Sequence, residues 1–150
     1  FEAGAVEVDV DGILDVPTHT VTFGRAGHNY PLVHNPTRRP SISILKSAGS
    51  ALGFGPSEIF QKTIEERELP LQEGDLLLIY TDGLVEAKNR ESQEFELPFV
   101  CDVLKQNLKA TSEEIIVAVM RAVDEFIDGQ PQEDDIALMA IRYTGQTEGA

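Results

Sequence analysis

Two acidic positions stand where a chain would place chemistry. Asp82 follows a continuous apolar run, Leu76-Leu77-Leu78-Ile79-Tyr80, and Asp134, with Asp135 beside it, comes just ahead of a second strand-like stretch at residues 136–143. A strand end is a rigid platform. If the two strands are antiparallel neighbours, the end of one meets the beginning of the other and the carboxylates converge at one edge of a sheet. Carboxylate oxygens suit hard cations such as Mg²⁺ and Mn²⁺, which keep several waters. A metal-bound water has its pKa lowered enough to attack a phosphorus ester near neutral pH. The same residues admit a plainer account. Asp82-Gly83 is then turn chemistry, with Asp bonding its own backbone and Gly taking positive φ, and Glu133-Asp134-Asp135 is a solvated acidic loop.

Other motifs carry less. Asp9-Val10-Asp11-Gly12 begins like a calcium loop, but a third ligand is due at position 13 and Ile13 cannot serve, so the stretch reads as a strand edge. His28 has no His or Cys beside it, which favours a structural hydrogen-bonding role over catalysis. The glycine-rich stretch from Gly49 to Gly55 lacks both the Walker lysine and a following helix. Cys101, the sole cysteine, sits at core spacing with Leu97, Val100 and Leu104, the setting of a small buried hydrophobe. One cysteine cannot build a disulfide framework, and a reducing cytoplasm fits.

The elements that must hold Asp82 and Asp134 are legible in the periodicity. Apolar residues alternate with Asp and Glu over residues 6–16, a turn falls at Pro17-Thr18-His19, and residues 20–25 form the second arm of a hairpin. Short strands are predicted at 30–34 and 41–45, a loop at 48–56, and a strand at 59–67. Residues 76–80, too short for a helix, read as a strand buried on both faces. Helical spacing then appears at Leu97, Val100, Leu104 and Leu108, and again at Ile115, Val119, Ala122 and Phe126, the second opened by a capping box from Thr111 to Glu114. A final strand covers 136–143 and a flexible polar tail 144–150. The expectation is a single α+β domain over residues 1–150, antiparallel strands with helices to one side.

Composition limits the partners. The chain has 150 residues, 41% of them hydrophobic and 25% charged, with a net charge of -14. That sign is wrong for a phosphate backbone, whose affinity comes from Lys and Arg, so nucleic acid is excluded as a partner. No apolar run approaches the roughly 20 residues of a membrane span. The start, Phe1-Glu2-Ala3-Gly4, lacks the features of a signal peptide.

Taken in order, the segment from Asp11 to Asp15, Ala26-Gly27-His28-Asn29-Tyr30-Pro31-Leu32, Ala51-Leu52-Gly53-Phe54, the block from Glu73 to Asn89, Glu94-Phe95, and Asp134-Asp135-Ile136-Ala137-Leu138 resemble successive motifs of the SpoIIE/RsbU-type phosphatases, members of the PPM or PP2C-like superfamily. The similarity runs from about Gly12 to Arg142. It implies an αββα sandwich of antiparallel sheets flanked by helices, with two Mn²⁺ or Mg²⁺ ions at one edge. It also implies a metal-dependent protein serine/threonine phosphatase whose bridging water attacks a phosphoserine or phosphothreonine. By resemblance, Asp82 and Asp134 are metal ligands, Asp135 is a secondary neighbouring position, and no catalytic residue beyond the ligands is implied. The implied substrate is a phosphorylated regulatory protein, the anti-sigma factor antagonist of bacterial signalling and sigma factor regulation. An upstream sensor or receiver domain and a cytoplasmic setting go with it.

One departure matters. The family has an earlier Asp-Gly pair whose aspartate bridges the metals, and nothing before Gly12 resembles it. Asp11-Gly12 falls instead where the family opens the strand before the hairpin, so the role does not transfer. The expectation is a domain incomplete at its N-terminus, keeping half its ligands, with metal affinity and turnover poor unless the missing segment is supplied. Uncovered edges would favour pairing with another chain, as in a homodimer. Two alternatives stay open: a non-catalytic phosphatase-like regulatory or binding module, and an unrelated acidic α+β domain whose two aspartates lie far apart.

Overall fold

The computed structural model describes residues 9–15, 17–49, 58 and 62–145. Contacts divide the chain into two compact units, one within Phe1–Tyr30 and Leu45–Gln72, the other within Pro31–Ile44 and Glu73–Ala150.

The first unit is a three-stranded antiparallel sheet of β1 (Asp9–Asp15), β2 (Thr20–Ala26) and β5 (Arg67–Pro70), in the order β1-β2-β5. The predicted hairpin is present, with Asp15 paired to Thr20 and Asp9 to Ala26. Its turn places His19 at φ 53, and Thr18 N–H donates to Asp15 Oδ1. Asp11-Gly12 lies in the edge strand β1, as the strand-edge reading requires. Along β2 burial alternates, with Val21 and Phe23 inward, the period of two that a pleated strand imposes. Arg25 ties the loops beyond β2. Its guanidinium donates to the carbonyls of His28, Ser47 and Gly49 and lies 4.4 Å over the Tyr30 ring. The His28 carbonyl is thus structural.

The strand expected at 59–67 lies outside the described residues at 59–61 and is corrected from 62 onward. Lys62 and Thr63 are helical, and β5 begins only at Arg67. Within 59–67 the alternation set one apolar residue, Ile59, among polar ones, so it defined no buried face; pairing with β2, Thr20 to Pro70 and Phe23 to Arg67, sets the strand instead. Pro70 is tolerated because β5 is an edge strand. The loop expected at 48–56 lies outside the described residues from 50 onward, and the tail expected from 144 lies outside them after Gly145.

The second unit holds the main core. Its four-stranded antiparallel sheet runs β4 (Ile42–Ile44), β3 (Leu32–His34), β6 (Leu76–Tyr80), β7 (Leu138–Arg142). Three helices accompany it, α1 (Asp82–Val85), α2 (Glu96–Gln106) and α3 (Ser112–Ile127). Leu76, Leu78 and Tyr80 alternate on one face of β6 and bury against Leu84 of α1, Val100 and Leu104 of α2, and Ile115, Val119 and Val123 of α3. Each such side chain stabilises by roughly 1.5–3 kcal/mol. Cys101 is half-buried and burial pushes its thiol up, which keeps it a protonated core group and not a nucleophile. No helix among the described residues is long and apolar enough to cross a membrane.

Two local devices hold this unit. At the start of α3 the capping box is complete: Glu114 N–H donates to Thr111 Oγ1 at 3.2 Å, and Thr111 N–H to Glu114 Oε2 at 2.7 Å. At the entry to β6, buried Asp75 pairs with Arg38 and accepts from Asn35 Nδ2 at 2.9 Å, so its charge is matched inside the fold. Nearby, His34 is fully buried with both ring nitrogens unbonded. Burial, then the charge of Arg142, lowers its pKa.

Thr111→Ala removes the cap and is expected to cost about 1 kcal/mol in urea unfolding. For His34 the folded ring takes a proton less readily than the unfolded ring, which does so below about pH 6.5, so unfolded chains bind more protons there and stability rises with pH. The contribution is complete above about pH 6.5 and lost as pH falls below it. Urea midpoints measured at pH 7.5 and pH 5.5 should therefore drop less in His34→Gln than in the unaltered protein.

Candidate metal centre

β6 ends at Tyr80, its partner β7 begins at Leu138, and these two residues are paired in register. The chain on either side of that pair leaves the sheet at one edge, residues 81 and 82 out of β6 and residues 134–137 into β7. The two segments stay joined past the ladder. Thr81 N–H donates to the Ala137 carbonyl at 3.1 Å. The Thr81 hydroxyl donates to the Asp135 carbonyl at 3.0 Å and accepts from Ala137 N–H at 2.9 Å. One hydroxyl serving as donor and acceptor satisfies two backbone groups that a frayed strand end would leave open.

Gly83 closes the contact. A Cβ on it would lie 2.5 Å from the Asp135 carbonyl oxygen and 3.2 Å from that of Asp134. The glycine expected to supply positive φ does not do so: it is not among the positive-φ glycines and sits in the first turn of α1. Close approach of two backbones is what demands it. The pattern shows an Asp-Gly pair in either case, so sequence reasoning could not separate the two causes.

Asp82, Asp134 and Asp135 are all exposed at this edge. Asp82 Oδ1 accepts from Gly83 N–H at 3.1 Å, and Asp134 Oδ1 from Asp135 N–H at 2.8 Å, so each carboxylate is held by the backbone beside it. Asp135 contributes through its carbonyl, which receives the Thr81 hydroxyl. The wide separation that would make Asp82 and Asp134 unrelated turn residues is not what the fold has. Two ion pairs escaped the sequence reading. Lys88 Nζ lies 2.7 Å from Glu133 Oε2, and that hydrogen bond raises the lysine pKa. Arg90 lies 3.1 Å from Asp128 Oδ2 and also donates to the Asp128 carbonyl at the end of α3. Both join the loop after α1 to the loop before β7; opposite charges 45 and 38 positions apart announce nothing in sequence.

The donor type fits a hard divalent cation: two exposed carboxylates with backbone-fixed orientation, open to water. Among the described residues no group of three or more His, Cys, Asp or Glu could hold a metal ion by itself.

Antiparallel sheets and helices of this kind match those of PP2C-fold phosphatase domains. The chain belongs to the SpoIIE family: the family model for Stage II sporulation protein E (SpoIIE) matches residues 10–144. Protein IcfG of Synechocystis sp. is 30% identical over 133 residues, which is 87% of this chain and 19% of that protein. Among solved structures, the manganese-presoaked phosphatase domain of the cell fate determinant SpoIIE from Bacillus subtilis aligns with a TM-score of 0.67 at 18% identity, covering 95% of this chain and 59% of that one. The SiaA-PP2C domain of Pseudomonas aeruginosa aligns with a TM-score of 0.73 at 21% identity, covering 87% of this chain and 49% of that one. At these identities the structural likeness is one of fold. The chain spans less than two thirds of each of these relatives.

Gly83→Ala should lower stability by roughly 1–3 kcal/mol, as overpacking does, although alanine is the better helix former. Denaturant unfolding decides the sign, and a neutral or stabilising result would mean that the acidic loop yields freely.

Proposed function

We propose that this chain contributes to a metal-dependent protein phosphatase that hydrolyses phosphoserine or phosphothreonine on a regulatory protein. The observation that supports the reading is the packing of the Asp82-Gly83 segment against the backbone of Asp134-Asp135, which joins the two acidic segments at one sheet edge. In this reading Asp82 and Asp134 hold Mn²⁺ or Mg²⁺, two ions in a complete domain, with Asp135 secondary. When bound, the ions would lower the pKa of water and offset charge on the phosphoryl oxygens. The task of the chain is positional. Thr81 and Gly83 hold the two acidic segments together, and the backbone N–H groups of Gly83 and Asp135 orient the two carboxylates. Membership of the SpoIIE family supports an anti-sigma factor antagonist as substrate, an upstream sensor or receiver domain, a cytoplasmic setting and partner-switching signalling.

A second reading, a non-catalytic regulatory module, draws on the lack of a three-donor cluster among the described residues. One experiment separates them. Mn²⁺-dependent hydrolysis of a phosphoserine peptide by the full-length protein should fall about 100-fold or more in Asp82→Asn, since even outer-shell partners of a metal site are worth roughly 10- to 100-fold. Mn²⁺ affinity, followed by calorimetry, should fall with it. Neither activity nor Mn²⁺ binding in the unaltered protein would establish the regulatory module.

A further inference from the structure

An open depression runs along the seam between α2 and α3. Two adjoining concavities share Val103, Gln106, Ala122 and Glu125 and merge into one groove along it. Its floor is apolar and low, because Ala118 and Ala122, one turn apart on α3, carry only methyl groups. One end is closed by the Phe95, Phe99 and Phe126 rings, whose centroids stand 5.2–5.3 Å apart. Phe99 is 46% and Val117 66% exposed, large apolar surface along a groove that water must otherwise cover.

The rim is acidic. Asp102, Glu113, Glu114 and Glu125 line it; Arg121 pairs with Glu125 and Lys105 with Asp102, each at 2.8 Å, so Glu113 and Glu114 carry the rim charge outside these two pairs. A second copy of the chain would bring the same rim and a net charge of -14 against it, so like charges oppose self-docking. A strand would find no backbone donors or acceptors on two helices, whereas a helix satisfies its own and needs only side-chain anchors.

We propose that the α2–α3 groove docks an amphipathic helix of a partner, with apolar anchors at i, i+3, i+4 and i+7 and Lys or Arg on its flanks. The anchors fill the space over Ala118 and Ala122 between Phe99 and Val117, and the flanking cations face Glu113 and Glu114. This surface is independent of the acidic pair at Asp82 and Asp134, and it stands whether or not the chain is a phosphatase.

The test uses the full-length protein and a fluorescein-labelled peptide of about 14 residues, roughly four helical turns, with leucine at the anchor spacing and lysine elsewhere. Fluorescence anisotropy should show saturable binding, weakened at least tenfold when the leucines are permuted out of register or the lysines become glutamates. Val117→Asp and Glu113→Lys, both at exposed positions and checked for folding by circular dichroism, should each weaken the unpermuted peptide. Equal binding of the permuted peptide would reduce the effect to net charge and overturn the proposal, as would no binding at all or no response to Val117→Asp. A dimer seen in sedimentation and abolished by Val117→Asp would assign the groove to a second copy and equally overturn it.

Discussion

The site depends on the register of β6 against β7. Tyr80 opposite Leu138 fixes which residues emerge together at the sheet edge. A slip of one residue would move the Asp82 segment relative to the Asp134 segment and also turn Leu76, Leu78 and Tyr80 out of the core, since side chains alternate faces with a period of two. The register is thus enforced by burial of the same three side chains, held by α2 and α3. Placement of the acidic edge and packing of the core are one constraint.

Past the ladder, backbone contact matters more than charge. Lys88 with Glu133 and Arg90 with Asp128 are exposed pairs, the kind that contributes little against solvent and salt. The Thr81 hydroxyl and the space left by the missing Gly83 side chain work differently, because the hydroxyl bonds two backbone groups at once and the glycine lets two backbones meet with no room for a side chain. Repulsion between neighbouring carboxylates is tolerable there because the aspartates stay in water, where the effective dielectric constant is high.

Much of this could be read before folding was considered. Strong periodicity located the hairpin, the buried strand at 76–80, the Thr111 capping box and both long helices, because each pattern records a burial face or a local hydrogen bond. The strand expected at 59–67 was misplaced because its alternation was mostly polar, so only pairing with β2 could say where it lay. The one-turn α1 went unread: four residues are too few for periodicity, and it forms because Leu84 is drawn into the core.

Asp82 and Asp134 could be singled out from the chain as acids at strand ends, and family motifs named them as ligands, but nothing local says that positions 52 apart in sequence are neighbours. The amino-acid sequence by itself determined which residues are apolar, which cap and which carry charge, since those properties belong to single side chains and short spacings. Only the tertiary structure decided that Gly83 is there for a carbonyl 2.5 Å from its absent Cβ, and not for a positive φ. Only there, too, does Thr81 bridge two loops and do α2 and α3 leave an open acidic seam. Such facts depend on distances between remote segments, which strand pairing and helix packing set and no short stretch of chain encodes.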